Sequence, residues 1–269
     1  MPLLRKATIP VLLLFAAICA GNAHAHAHEF WLEPSSYTPS TDTKIAIRHT
    51  YGQHFKGDEL PFVAEWHPRY IVLDQGRERK VRGFDGDLPA VQIKFDKPGL
   101  KVFGYFGAYE PQTFETRADF DKYAQKIGYE ALARQHGTLG KPATGIVESY
   151  ARNTKLLLGV GDATGTDRAL GLPFELVAER NPYTLSPGEN LPVRLLLNGK
   201  PSAGMTITTF SAADPKNPTQ TVTDGEGRAA ISLPSRGAYL LNAVHMFDPA
   251  PGRKADWESL WASMTFAIR

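Results

Sequence analysis

From Leu172 onward the sequence is a succession of short segments in which apolar and polar residues alternate, cut by Pro187-Gly188, Asn198-Gly199 and Asp224-Gly225. Alternation with period two puts apolar side chains on one face of a strand, and frequent turn residues limit each strand to a few residues. Asn198-Gly199 reads as a two-residue hairpin turn, because both residues tolerate positive φ. The pattern predicts a β-sandwich of the immunoglobulin-like kind over residues 171–269.

The preceding segment, 28–170, reads as a second β-rich block. Thr43–Tyr51 alternates cleanly, with Ile45, Ile47, His49 and Tyr51 on one face. Further strands are expected at Arg69–Asp74, Ala90–Phe95, Leu100–Tyr109 and Val147–Val160. Residues 117–136 break the pattern: Phe120, Tyr123, Ile127, Ala131 and Leu132 recur at helical spacing, with Thr116 or Asp119 as a cap and Gly137 as a stop. The expected architecture is therefore mainly β, two β-sandwich blocks with a helical insert between them.

The first 27 residues read as a signal peptide. Arg5 and Lys6 precede the apolar run Ile9–Ala20, and a small-residue tract offers cleavage after Ala25 or Ala27. The run is too short to span a bilayer comfortably, and no later segment is apolar for long enough, so no membrane span is expected in the mature chain. Ile18 before Cys19 argues against a lipidated start. Cys19 is the single cysteine and leaves with the signal, so the mature chain carries no thiol and no disulfide. The expected compartment is the periplasm. Loss of Arg5 and Lys6 from 30 basic residues balances them against the 28 acidic ones, which gives no electrostatic reason to bind nucleic acid.

Catalytic motifs are missing. The sequence has no G-x-S-x-G elbow and no phosphate-cradling glycine loop followed by Lys-Ser/Thr, so no enzymatic activity is expected. Histidines offer a different chemistry. Cleavage after Ala27 leaves His28 at the terminus, where an amine and an imidazole from one residue can chelate a late transition metal such as Ni, Co or Cu. Cleavage after Ala25 exposes His26 instead, with His28 two residues on. His49 and His245 point inward by the alternation of their segments and are the favoured further ligands, with Glu258 as an outer one. His54, His67 and His136 are weaker candidates: His67 precedes Pro68 at an expected strand edge, and His136 closes the helix, where a cation suits the dipole.

Several longer motifs carry a family likeness: HEFWLEP, YGQHFKGDELPF, ESYARNTKLLLG and DWESLWASMTF, together with the run GLPFELVAERNPYTLSPGENLPVRLLLNGKPSAG. Over His28 to Arg269 the chain resembles the exported family described as nickel transport complex, NikM-subunit-like, domain of unknown function. That resemblance implies periplasmic handling of nickel or cobalt beside a membrane metal-uptake complex, as an accessory rather than a permease. Two rival expectations remain. One is a structural or binding sandwich for a carbohydrate or protein partner without metal; the other is a copper redox enzyme built on a terminal histidine.

Overall fold

The computed structural model describes residues 28–269; the signal peptide expected over 1–27 lies outside them. The first block contributes β1 (Glu29–Pro34), β2 (Ile45–Gln53), β3 (Lys56–Leu60), β4 (Arg69–Asp74), β5 (Arg77–Lys80), β6 (Val91–Ile93), β7 (Gly99–Phe106) and β8 (Glu110–Thr116). Helices α1 (Arg117–Lys126) and α2 (Glu130–Gln135) follow, then β9 (Thr144–Val160). The second block holds β10 (Phe174–Ala178), β11 (Asn190–Leu197), β12 (Lys200–Pro201), β13 (Thr206–Ser211) and β14 (Asp214–Val222). It ends with β15 (Arg228–Ser232), β16 (Gly237–Phe247) and β17 (Trp257–Ile268). The chain is mainly β with a small helical insert, as its patterning predicts.

The insert is two helices rather than one. Thr116 caps α1 by accepting the Asp119 N–H at 3.2 Å. Gly128 then takes φ +82° and stops the helix before α2 begins.

Strands from both blocks form one nine-stranded sheet in the order β14-β13-β16-β17-β9-β7-β4-β5, with β8 paired to the first half of β9. The blocks meet at its centre. β17 runs parallel to β9, from Trp257 beside Glu148 to Thr265 beside Leu156. All twelve residues of β17 are buried, as expected of a strand covered on both faces.

A four-stranded sheet covers each face. Strands β1, β2, β3 and β6 pack Phe30, Ile45 and Ile47 against Tyr70, Phe103 and Leu156. Strands β10, β11, β12 and β15 pack Leu176, Leu191 and Val193 against Val102, Leu157 and Met264. The split follows from the pleat: Leu156 and Leu158 of β9 enter one core, Leu157 between them enters the other. The helical insert shares the face of the first small sheet, placing Phe114, Phe120 and Tyr123 against Val244, Met246, Trp257 and Trp261.

Polar residues in β9 tie these layers together. Lys155 Nζ is buried 2.7 Å from Asp167 and 3.2 Å from Glu175 of β10. Burying these charges is tolerable only because they are mutually paired. On the other face, the Ser263 and Thr265 hydroxyls of β17 donate to the Phe30 and Leu32 carbonyls of β1, each at 2.7 Å. These bonds dock β1 edge-on over the large sheet.

Candidate functional site

The structure distributes the four sequence-nominated residues over three places. His28 precedes β1 and stacks on Tyr51, ring centroids 4.6 Å apart, with the Gln53 side-chain nitrogen 3.2 Å from its Nε2. His49 sits on β2 opposite Leu32, whereas Glu29 lies opposite Gly52. His28 is thus about four strand positions from His49, on the order of 13 Å at ~3.3 Å per residue. His245 lies on the other face of the large sheet, its ring 5.9 Å from Phe174 and 5.1 Å from Phe247. Glu258 is diagonal to it on that face, since Phe247 pairs with Glu258 and His245 with Leu260. The Glu258 carboxylate is already occupied: it accepts the Ala250 N–H at 2.8 Å and pairs with Arg253 at 2.5 Å. His49 and His245 are separated by the full thickness of the sheet and are not brought together. Among the described residues no group of three or more His, Cys, Asp or Glu is placed around one point.

A different pair forms instead. His49 is carried inward by the alternation of β2, and His67 is set beside it by the short helical turn Ala64–Trp66. Pro68 holds His67 in extended backbone, φ −142°. The two rings lie 6.3 Å apart in an edge-on arrangement, each about 5 Å from Tyr70 and Tyr105. A backbone carbonyl adjoins each imidazole, that of Pro61 for His49 and its own for His67. Each leaves Nε2 buried and without a hydrogen-bond partner, and the Tyr70 hydroxyl between them is equally unpartnered. Burial is the main cause that holds both imidazoles neutral: His49 is pushed down to about 3, helped by His67 beside it, and His67 is lowered as well. Burial also drives the Tyr70 phenol upward, with Tyr105 adding to it. Three orphaned polar atoms in one apolar box are a costly arrangement unless something fills it.

In front of this box lies an open cleft of about 200 Å³. Phe30 and Tyr105 form its back wall and are shared with the histidine cluster. Tyr51, Trp66 and Tyr150 form its sides, and Glu110 and Arg152 bring opposite charges into it. Tyr105 donates its hydroxyl to the Trp66 carbonyl at 3.3 Å, which fixes Trp66 beside the mouth.

The remaining histidine and acid of the β9–β17 junction are structural. His136 is fully buried, accepting the Trp257 indole N–H on Nδ1 at 3.0 Å and placing Nε2 2.7 Å from the Pro142 carbonyl. That environment, rather than a helix dipole, explains it. Asp256 accepts the Val147 N–H at 2.8 Å and so anchors the start of β17 to β9.

A family model described as "Domain of unknown function (DUF4198)" matches residues 25–247. No curated protein matches the chain. Among solved structures, the D0-D1 domain of Intimin is 12% identical, covering 89% of this chain and 99% of that one at a TM-score of 0.21. A two fibronectin type-III domain segment from chicken tenascin is 10% identical, covering 79% and 87% at 0.21. The human OSCAR ligand-binding domain is 14% identical, covering 86% and 95% at 0.18. At such TM-scores the whole chains do not superpose, and the architecture rests on the strand pairing described above.

Proposed function

We propose that this protein, which belongs to the DUF4198 family, is an exported, non-catalytic binding protein for a late transition-metal ion, nickel, cobalt or copper, serving a membrane uptake complex. The observation that carries the reading is the buried pair His49 and His67. Burial keeps both imidazoles neutral, and both have Nε2 buried without a hydrogen-bond partner. A neutral imidazole with a ring nitrogen left open is the form in which histidine takes up a metal. Imidazole suits late transition metals. The Tyr70 hydroxyl, orphaned in the same box, is a further candidate donor.

His28 supports the reading in a second way, through the amine it would expose on cleavage after Ala27. Among the described residues no helix is long and apolar enough to cross a membrane. No nucleic-acid partner is proposed.

Thermal unfolding with Ni, Co and Cu tests the proposal, because an ion that binds only the native state stabilises it by mass action, by about 2.7 kcal/mol at a hundredfold excess over Kd, and so raises Tm. One of the three ions is expected to raise Tm, and His49→Leu and His67→Leu to abolish the rise, while His245→Ala retains it. Loss only in His28→Ala would move the site to the terminus. No rise with any ion would leave a metal-free binding protein as the better reading.

A further inference from the structure

Arg152 is the residue of the cleft with the least ordinary surroundings. Its guanidinium lies over the Tyr150 ring at 4.4 Å and the Tyr51 ring at 5.1 Å. Among the described residues no carboxylate comes within ion-pair distance of it, and its Nε is buried without a hydrogen-bond partner. Arg77 and Arg82 also lack ion pairs, but they are exposed and solvated. Arg152 is instead clamped between two aromatic faces at the wall of a cleft. Stacking removes its freedom and the Tyr150 hydroxyl engages part of the guanidinium, while Nε is left over, so that donors of the fork remain for a planar carboxylate.

Glu110 stands on the same wall. It is the register partner of Tyr150, and Tyr150 donates its hydroxyl to Glu110 Oε2 at 2.7 Å. The second carboxylate oxygen keeps its accepting capacity. Tyr150 thus separates the two charges: Arg152 lies on its ring and Glu110 on its hydroxyl. The cleft therefore presents a cation and an anion that do not neutralise each other, inside walls made of Phe30, Tyr51, Trp66 and Tyr105. Ring faces attract a cationic group and exclude water from it.

We propose that this cleft is a binding site for a small zwitterion of the amino-acid or betaine class. The carboxylate is received by Arg152, and the ammonium lies against Glu110 and the ring of Trp66. A volume of about 200 Å³ is below the usual range for drug-sized ligands and suits a compact molecule. The site is separate from the buried imidazoles, and its test is made without metal.

The test is titration calorimetry of the whole mature chain in excess EDTA, with L-phenylalanine, glycine betaine, phenethylamine and benzoate as probes, and Trp66 fluorescence as a second readout. One of the two zwitterions is expected to bind at least tenfold tighter than both singly charged probes. Arg152→Gln is expected to remove that advantage over the amine, and Glu110→Gln the advantage over benzoate. Arg152→Lys keeps the charge but loses the fork, and is expected to fall between. Binding of neither zwitterion, equal binding of all four probes, or unchanged affinity in folded Arg152→Gln overturns the proposal. Should Arg152→Gln fail to fold, the probe series on the native chain decides the matter alone.

Discussion

Glu148 of β9 has two hydroxyls turned toward it: Tyr123 donates at 2.7 Å, and Ser259 of the neighbouring strand donates as well. Its other oxygen is buried and unpartnered. Burial outweighs both donors and raises the group from its ordinary 4.5 to about 7. The native state then holds a proton that the unfolded chain releases, so this group's contribution is full below pH 4.5 and is lost as pH rises toward 7. Glu29, raised to about 6 by burial, acts in the lower part of the same window. Glu148→Gln keeps an oxygen for both hydroxyls and has no charge to bury. Urea unfolding at pH 5, 6 and 8 should show the variant matching the parent at pH 5 and exceeding it at pH 8 by about 1–3 kcal/mol. Most of the parent's decline between pH 6 and 8 should disappear. A variant that declines in parallel with the parent would assign the effect elsewhere.

At this scale the sequence is a partial guide to the site. The inward direction of His49 is legible, because Ile45 and Ile47 share its face. The importance of His67 is not, since its box is assembled from β2, β4, β7 and a short helical turn that pair only in three dimensions. The signal available is His67-Pro68, which fixes an extended backbone and by itself suggests only a strand edge. Arg152 and Glu110 lie 42 positions apart in the sequence, and only the β8–β9 register makes them neighbours.

Turns carry the elements, and two glycines separate the reasons for which a turn needs one. Asn198 and Gly199 take φ +49° and +74° between β11 and β12, the hairpin geometry their identities predict. A Cβ at Gly199 would meet nothing within 4 Å, whereas one at Gly227 (φ +70°) would lie 2.6 Å from the Leu195 carbonyl oxygen and 2.8 Å from the Ser202 nitrogen. Gly199→Ala therefore incurs backbone strain alone, about 1 kcal/mol. Gly227→Ala adds a collision with backbone that cannot swing aside and should cost about 2 kcal/mol or more. Denaturant midpoints of the two variants check the order, and a reversed order would mean that the 224–227 turn yields.

Elements with a strong pattern were the legible ones. Thr43–Tyr51 and Arg69–Asp74 became β2 and β4, and Val147–Val160 became the greater part of β9. β3, β5 and β14 have largely exposed, polar residues, so no alternation marked them; they are held by hydrogen bonds to better-patterned neighbours. The helix over 117–136 was visible, and its division at Gly128 was not separated from the helical spacing around it.

Over the whole molecule, the parallel pairing of β9 with β17 makes the large sheet common to both blocks. Chains of 28–170 and 171–269 would each lack a central neighbour, and the Lys155 ion pairs would lose Glu175. Circular dichroism and tryptophan fluorescence should therefore report one coincident unfolding transition. Trp31 and Trp66 lie on the first block and Trp257 and Trp261 on the second, so two separated transitions in Trp31→Phe and Trp261→Phe variants would refute the coupling. That coupling was beyond the sequence, because a parallel partner is set by topology and leaves no local turn signal.

The last strand of the chain is the one that closes this sheet. Until Trp257–Ile268 is available, β9 and β16 each present an open edge, and their contacts wait on residues more than a hundred positions away in the case of β9. Such long-range closure is slow to form. A chain threaded through a pore with its first residue leading would keep its central sheet unfinished until almost all of it had passed, and this order of strands would delay folding until then.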